Sequence, residues 1–129
     1  MSTGNGKALA YQSPREILGL EALLTVSTAQ PPMRVLQAPE SLGLTTREAF
    51  RASANALLDE MAEGAGQLVV DLGGTREVDS SGLGALVMVQ HHAAVRRQAV
   101  VLRGVGAELE FLLVLTKLDD LFVFAPSGG

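Results

Sequence analysis

Residues 68–84 read Leu68-Val69-Val70-Asp71-Leu72-Gly73-Gly74-Thr75-Arg76-Glu77-Val78-Asp79-Ser80-Ser81-Gly82-Leu83-Gly84, and the way they divide decides the fold. Leu68-Val69-Val70 is a short apolar run between glycines, the composition of a strand buried on both faces. Gly73-Gly74 opens a loop. Asp79, Ser80 and Ser81 favour a helix N-cap, because their side-chain oxygens accept the orphan N–H groups of a first turn. Gly82-Leu83-Gly84 lets another backbone approach closely. From about Gly82 to Gln98 the pattern is helical, ending in Arg96 and Arg97, whose charge suits the negative end of a helix. Strand, loop and helix in this order set the loop from Glu77 to Gly82 at the carboxyl end of a parallel strand, where open α/β sheets place their sites.

The alternation extends in both directions. Downstream, Val100-Val101-Leu102 is a second buried strand. Glu108 to Asp120 reads as a helix with Phe111, Leu112, Leu115 and Leu118 on one side, and Leu121 to Phe124 as a closing strand. Upstream, Thr45-Thr46-Arg47-Glu48 has the form of a capping box, the Thr45 hydroxyl taking a backbone N–H while Glu48 reaches back. Phe50, Ala54, Leu57, Leu58 and Met61 then form one apolar helical stripe, and Gly64 and Gly66 end the helix. Pro39 to Leu44 reads as a loop. Ala22 to Thr28 and Met33 to Gln37 read as strands joined by Ala29-Gln30-Pro31-Pro32, a hairpin. The order β-β-α-β-α-β-α-β predicts an α/β domain with a mostly parallel mixed sheet of about five strands, the first antiparallel, and about three helices. It is expected over residues 21–125, between a flexible leader at 1–20 and a flexible tail at 126–129.

Composition narrows the function classes. A chain of 129 residues with 47% hydrophobic content can build one core without staples. With no cysteine, disulfides and thiolate metal sites are excluded. A net charge of −4 with scattered basic residues argues against direct nucleic-acid binding, and one tyrosine with four phenylalanines is too few for a base-stacking platform. No apolar stretch is long enough for membrane insertion, and the first twenty residues lack the pattern of a secretory signal. The expected location is cytoplasmic.

On local chemistry alone, the segment at Asp79 is equally a helix cap with two packing glycines. A further reading comes from the family it resembles. Asp79-Ser80-Ser81-Gly82-Leu83-Gly84, preceded by Leu68-Val69-Val70-Asp71-Leu72, resembles the STAS domain of bacterial anti-sigma factor antagonists. So does Leu112-Leu113-Val114-Leu115-Thr116-Lys117-Leu118-Asp119-Asp120-Leu121-Phe122, which is similar to the family's last helix and closing strand. The resemblance runs from about Ala22 to Ala125. It implies that Ser80 is the phosphoacceptor, that Ser81 helps to cap or position, and that Asp79, Gly82, Leu83 and Gly84 shape the contact with a partner. The implied partners are an anti-sigma factor serine kinase of the histidine-kinase-like ATPase fold and a metal-dependent serine phosphatase; a homodimer is compatible with the sequence. Unphosphorylated, such a protein binds the kinase and frees a sigma factor. One departure stands out: members often carry a gly-x-leu-asp turn after the second strand, whereas this chain has Glu40-Ser41-Leu42-Gly43-Leu44-Thr45 and no aspartate.

The alternative is a STAS scaffold or adaptor that binds without switching, in a stress-sensing complex or a transporter. Gly84, Met88, His91 and Val95 recur at helical spacing and offer a contact stripe, Met88 being the residue assigned to partner binding. The competing assignment puts Met88 and Val95 in the core. An enzyme is not expected. No Gly-x-Ser-x-Gly is present, and His91 and His92 stand about three turns beyond the serines on one helix, ~15 Å away. Gly104-Val105-Gly106 and Gly82-Leu83-Gly84 lack the third glycine of a dinucleotide fingerprint, with Leu109 and Val87 in its place. No cofactor is implied, and Asp119-Asp120 reads as a helix terminus, not a metal site.

Overall fold

The computed structural model describes residues 32–125. The expected strand Ala22–Thr28, the hairpin it would form, and the terminal segments 1–20 and 126–129 lie outside the described residues. The elements are β1 (Met33–Gln37), β2 (Ser41–Leu42), α1 (Arg47–Asp59), β3 (Gln67–Asp71), β4 (Glu77–Val78), α2 (Ser80–Val95), β5 (Ala99–Arg103), α3 (Ala107–Leu115), a 3-10 turn (Asp119–Leu121) and β6 (Val123–Phe124). Four strands form a parallel sheet in the order β1-β3-β5-β6.

Each crossover in that sheet advances the same way, from β1 to β3 to β5 to β6. Right-handed connections that all advance in one direction put their helices on one face. The core follows: Phe50, Ala54 and Leu58 of α1, Ala85, Leu86 and Val89 of α2, and Leu109 and Leu113 of α3 pack with Leu68, Val70, Val100 and Leu102 of the central strands. The intervening residues point to the other face, where Val35, Val69, Val101 and Val123 lie in register across all four strands.

The apolar stripe expected of the first helix is the buried one, with Met61 just beyond it and Leu57 partly buried against the same cluster. Its start differs from the expectation. Thr46, not Thr45, is the N-cap, and its hydroxyl makes no capping bond to the helix. Instead Thr46 Oγ1 accepts the Gly43 N–H at 3.0 Å and donates to the Ser41 carbonyl at 2.7 Å, tying the helix to the preceding turn. Glu48 does not reach back; its carboxylate pairs with Arg51 one turn on, at 2.9 Å. The helix ends at Asp59, before Gly64 and Gly66, which take positive φ beyond it. The carbonyls at its end and in the turn beyond it are met from the residues that follow α2. The buried Gln98 amide faces the carbonyls of Leu58, Met61, Ala62 and Ala65 at 3.0, 3.2, 3.2 and 3.2 Å, and Arg96 donates to the Met61 carbonyl at 2.7 Å.

Two further expectations are corrected. Pro39–Leu44 and the stretch before Asp79 are not wholly loop, since β2 and β4 pair in parallel, Ser41 with Glu77 and Leu42 with Val78. Two residues carry no period, so no sequence pattern marks them. The last helix stops at Leu115 instead of Asp120, and its buried side is Leu109 and Leu113, whereas Phe111 and Leu115 are exposed. The segment is so uniformly apolar that several stripes fit it. The positive φ of Lys117 then breaks the register before Leu118.

Candidate functional site

The helix begins two residues earlier than its hydrophobic pattern suggests, at Ser80, and ends at Val95, and its start determines what each motif residue does. Asp79 is the N-cap: its backbone is extended, and Oδ1 accepts the Gly82 N–H at 2.9 Å. The Asp79 carbonyl receives the Leu83 N–H at 2.8 Å. Ser80 and Ser81 therefore occupy the first two helical positions. Ser80 is exposed and Ser81 half-buried. The hydroxyl of Ser80 sits at the rim, while the cap that holds the rim in shape belongs to its neighbour.

Two glycines let that cap fit. A Cβ on Gly82 would overlap the Leu42 carbonyl of β2, and a Cβ on Gly43 would overlap the Asp79 carboxylate. The Asp79 N–H reaches the Leu42 carbonyl at 3.2 Å, so β2, its following turn and the start of α2 form one tightly seated unit. Gly43 gave no signal in the sequence beyond being a glycine in a turn. It lies in the segment where the aspartate-bearing turn is missing. Glu40, the acid available there, is exposed and stands 3.6 Å from Arg76.

Gly84 is different. It is exposed in the second turn of α2, and a Cβ there would meet no atom of the described residues within 4 Å. With Met88, His91 and Val95 it forms an exposed stripe; Met88 is 52% and Val95 70% exposed, so the assignment of these two side chains to the core is overturned.

The rim separates two depressions. One, of about 810 Å³, is lined by Ser80, Ser81, Leu83, Gly84, Val87 and Met88 of α2, by Arg47, Glu48 and Arg51 of α1, and by Leu118. The other, of about 440 Å³, holds Glu77, Asp79 and Glu108 with Arg76. The α1 residues were missed in the sequence, although Arg47 and Arg51, four apart, necessarily share a helix face. The Arg51 guanidinium, with Arg47 adding to it, holds the Glu48 carboxyl below its ordinary range. Beneath the rim, Asp71 at the end of β3 accepts the Gly73 N–H at 2.9 Å and pairs with Arg103 of β5 at 3.1 Å. Both lower its carboxyl, the Gly73 bond most.

His91 and His92 lie far along α2 from the serines, and His92 bonds Asp59 of α1 at 2.8 Å. Asp119 and Asp120 open the 3-10 turn. No helix among the described residues is long and apolar enough to cross a membrane.

Comparisons with known proteins agree with this architecture. A crystal structure of a proposed anti-sigma factor antagonist from Thermotoga maritima superposes with a TM-score of 0.60 at 18% identity, covering 73% of this chain and 80% of that one. An NMR structure of the same bacterial protein gives 0.61 at 17%, over 72% and 73%. A sulfate transporter family protein from Wolinella succinogenes gives 0.57 at 18%, over 76% and 82%. At such identities the likeness is one of fold. The search of curated proteins returned no match. The family model described as "Mlab, STAS domain" matches residues 21–123, which span the cap, the rim serines and all the helices described above. The chain belongs to the STAS domain family.

Proposed function

We propose that this chain is an anti-sigma factor antagonist, a binding module and not an enzyme, switched by phosphorylation of Ser80 and acting in the cytoplasm. The observation that carries the reading is the exposure of Ser80 at the first position of α2, beside a cap that Asp79 supplies without it. The hydroxyl is open to a kinase and is not spent on holding the helix. Asp79, Ser81, Gly82, Leu83, Gly84 and Met88 make the partner face around it.

A phosphate on Ser80 adds about −1.5 to −2 charges and three strong acceptors. Within the domain it is tolerated, because the first turn has free N–H groups and the positive end of the helix dipole. Against a docked partner it is not. Burying an unpaired charge at an interface costs on the order of 2–5 kcal/mol, which corresponds to roughly 30- to several-thousand-fold in affinity. Unphosphorylated, the protein would hold an anti-sigma factor serine kinase of the histidine-kinase-like ATPase fold and leave a sigma factor free. A metal-dependent serine phosphatase would reset it.

The test is incubation with the candidate kinase, ATP and Mg²⁺, followed by mass mapping. Label is expected on Ser80 and lost in Ser80→Ala; label elsewhere, or labelling that survives the substitution, overturns the assignment.

A second reading has its own support. The family description and the sulfate transporter relative are compatible with a STAS adaptor that binds a transporter component without switching. The exposed stripe of Gly84, Met88, His91 and Val95 would serve it equally. A neighbouring gene for a small ATPase-fold kinase or serine phosphatase favours the switch, whereas a lipid or sulfate transporter favours the adaptor.

A further inference from the structure

We propose that the larger depression takes an acidic segment of the partner protein, its carboxylates on Arg47 and Arg51 and its chain crossing α2 at Gly84. This deepens the reading of α2 as the partner face and rests on it.

Three observations carry the inference. Gly84 is the first. A glycine inside a helix loosens it relative to alanine, and Gly82, two residues before it, has a reason to be glycine, the carbonyl of Leu42. Gly84 has none among the described residues, since a Cβ there meets none of their atoms within 4 Å. Its missing side chain leaves a notch in the outer wall of α2, between the exposed Ser80 and Met88. A notch of that kind suits a segment crossing from outside.

Charge is the second. The chain as a whole carries −4, yet two arginines and one glutamate line this depression. Glu48 is engaged by Arg51, and Arg47 is exposed with no ion pair among the described residues. The depression is a locally positive site on an acidic protein. Across the rim the sign reverses, with Glu77, Asp79 and Glu108 against Arg76. An acidic segment is drawn to one side of Ser80 and repelled from the other, so electrostatics fix its placement as well as its attraction.

The third is where Ser80 lies. It lines the positive depression itself. One phosphate there outweighs the single net positive charge of the lining residues and turns the site negative. An acidic occupant is attracted before phosphorylation and repelled after it, without any movement of the fold.

The test is an NMR titration of the isotope-labelled full chain with two synthetic helical peptides, one built from Glu, Leu and Ala and a matched one with Lys in place of Glu. The acidic peptide is expected to shift the Gly84 amide and the Met88 methyl, with the Lys peptide leaving both unmoved. Arg47→Glu combined with Arg51→Glu should remove the shifts while the rest of the spectrum stays dispersed. Ser80→Asp, which cancels the single net positive charge of the lining, should weaken the response by roughly tenfold. Gly84→Leu, which fills the notch, should block the response in a domain that still melts cooperatively. The proposal is overturned by equal shifts from both peptides, by shifts confined to Glu77, Asp79 and Glu108, by persistence after the double charge reversal, or by no shift at all. The wild-type titration needs neither kinase nor phosphate. Its failure leaves the labelling of Ser80 standing, and a chain never phosphorylated at Ser80 can still bind the acidic peptide.

Discussion

Gly82 and Gly84 stand two residues apart on one helix and meet opposite surroundings. At Gly82 an added methyl collides with the Leu42 carbonyl of β2, a backbone atom that cannot swing aside. Forcing atoms into a filled space typically costs about 1–3 kcal/mol, so Gly82→Ala is expected to lower the melting temperature. At Gly84 the same methyl meets no neighbour among the described residues. There the helix gains up to about 1 kcal/mol from alanine's better propensity, and the melting temperature should rise by several degrees, about 4–8 °C per kcal/mol for a domain of this size. Thermal melts of the two single variants check both signs. A Gly84→Ala variant that melts well below the parent would mean that the notch serves the fold and not a partner.

Among the elements, the junction between the end of α1 and the end of α2 is held by polar contacts under cover. Gln98 is buried, and its amide nitrogen, with two protons, is shared among four carbonyls, that of Leu58 in the last turn of α1 and those of Met61, Ala62 and Ala65 just beyond it. Gln98→Leu keeps the bulk and removes the donor. Leu58, Met61 and Ala62 keep other donors, but the Ala65 carbonyl loses its partner. An unsatisfied buried group costs about 1–3 kcal/mol, and denaturant titration should show the loss with a slope that hardly changes. An unaltered midpoint would mean that water replaces the amide at no cost.

The elements also show where the sequence speaks and where it falls silent. The stripe from Phe50 to Met61 and the buried runs Leu68-Val69-Val70 and Val100-Val101-Leu102 carry a strong period or composition and lie where that pattern puts them, and the helix after Asp79 is present with its bounds shifted from Gly82–Gln98 to Ser80–Val95. The pair β2 and β4 was silent because two residues have no period. The buried side of α3 was misjudged because a nearly continuous apolar helix offers no contrast between faces. The capping residue was displaced from Thr45 to Thr46 because both threonines satisfy the same local rule, and only the turn from Ser41 to Gly43 selects between them. At the site, the chain-local part was legible: the cap, the rim serines and the glycines. Arg47 and Arg51 come from thirty residues upstream, and only the packing of α1 beside α2 brings them to the same depression.

At the largest scale, the three α-helices among the described residues lie on one face because every crossover advances in the same direction, and the loops that follow β3 and β5 meet at one end of the sheet. Asp71 and Arg103 join those strands there. The Gly73 N–H and the Arg103 guanidinium lower the Asp71 carboxyl from its ordinary value of 3.8. A carboxyl lowered in the folded state stabilises the fold above its unfolded value and loses that contribution as pH falls through its folded one. The stability lent by Asp71 is thus present at neutral pH and fades below 3.8. Asp71→Asn should accordingly be less stable than the parent at neutral pH, with the gap narrowing in acid. Urea unfolding at a series of pH values measures this, and a gap that stays constant would show that the charge is immaterial.

In the proposed switch, the Ser80 hydroxyl is one that a partner would cover and the interior does not need. The most direct test is a pair of measurements on protein made wholly phosphorylated or wholly unphosphorylated at Ser80: the melting temperature alone, and the affinity for the kinase by calorimetry. The melting temperature should be unchanged within a few degrees, while affinity falls by roughly 30-fold or more. A phosphorylated domain that unfolds, or one that binds the kinase as tightly as before, contradicts the account.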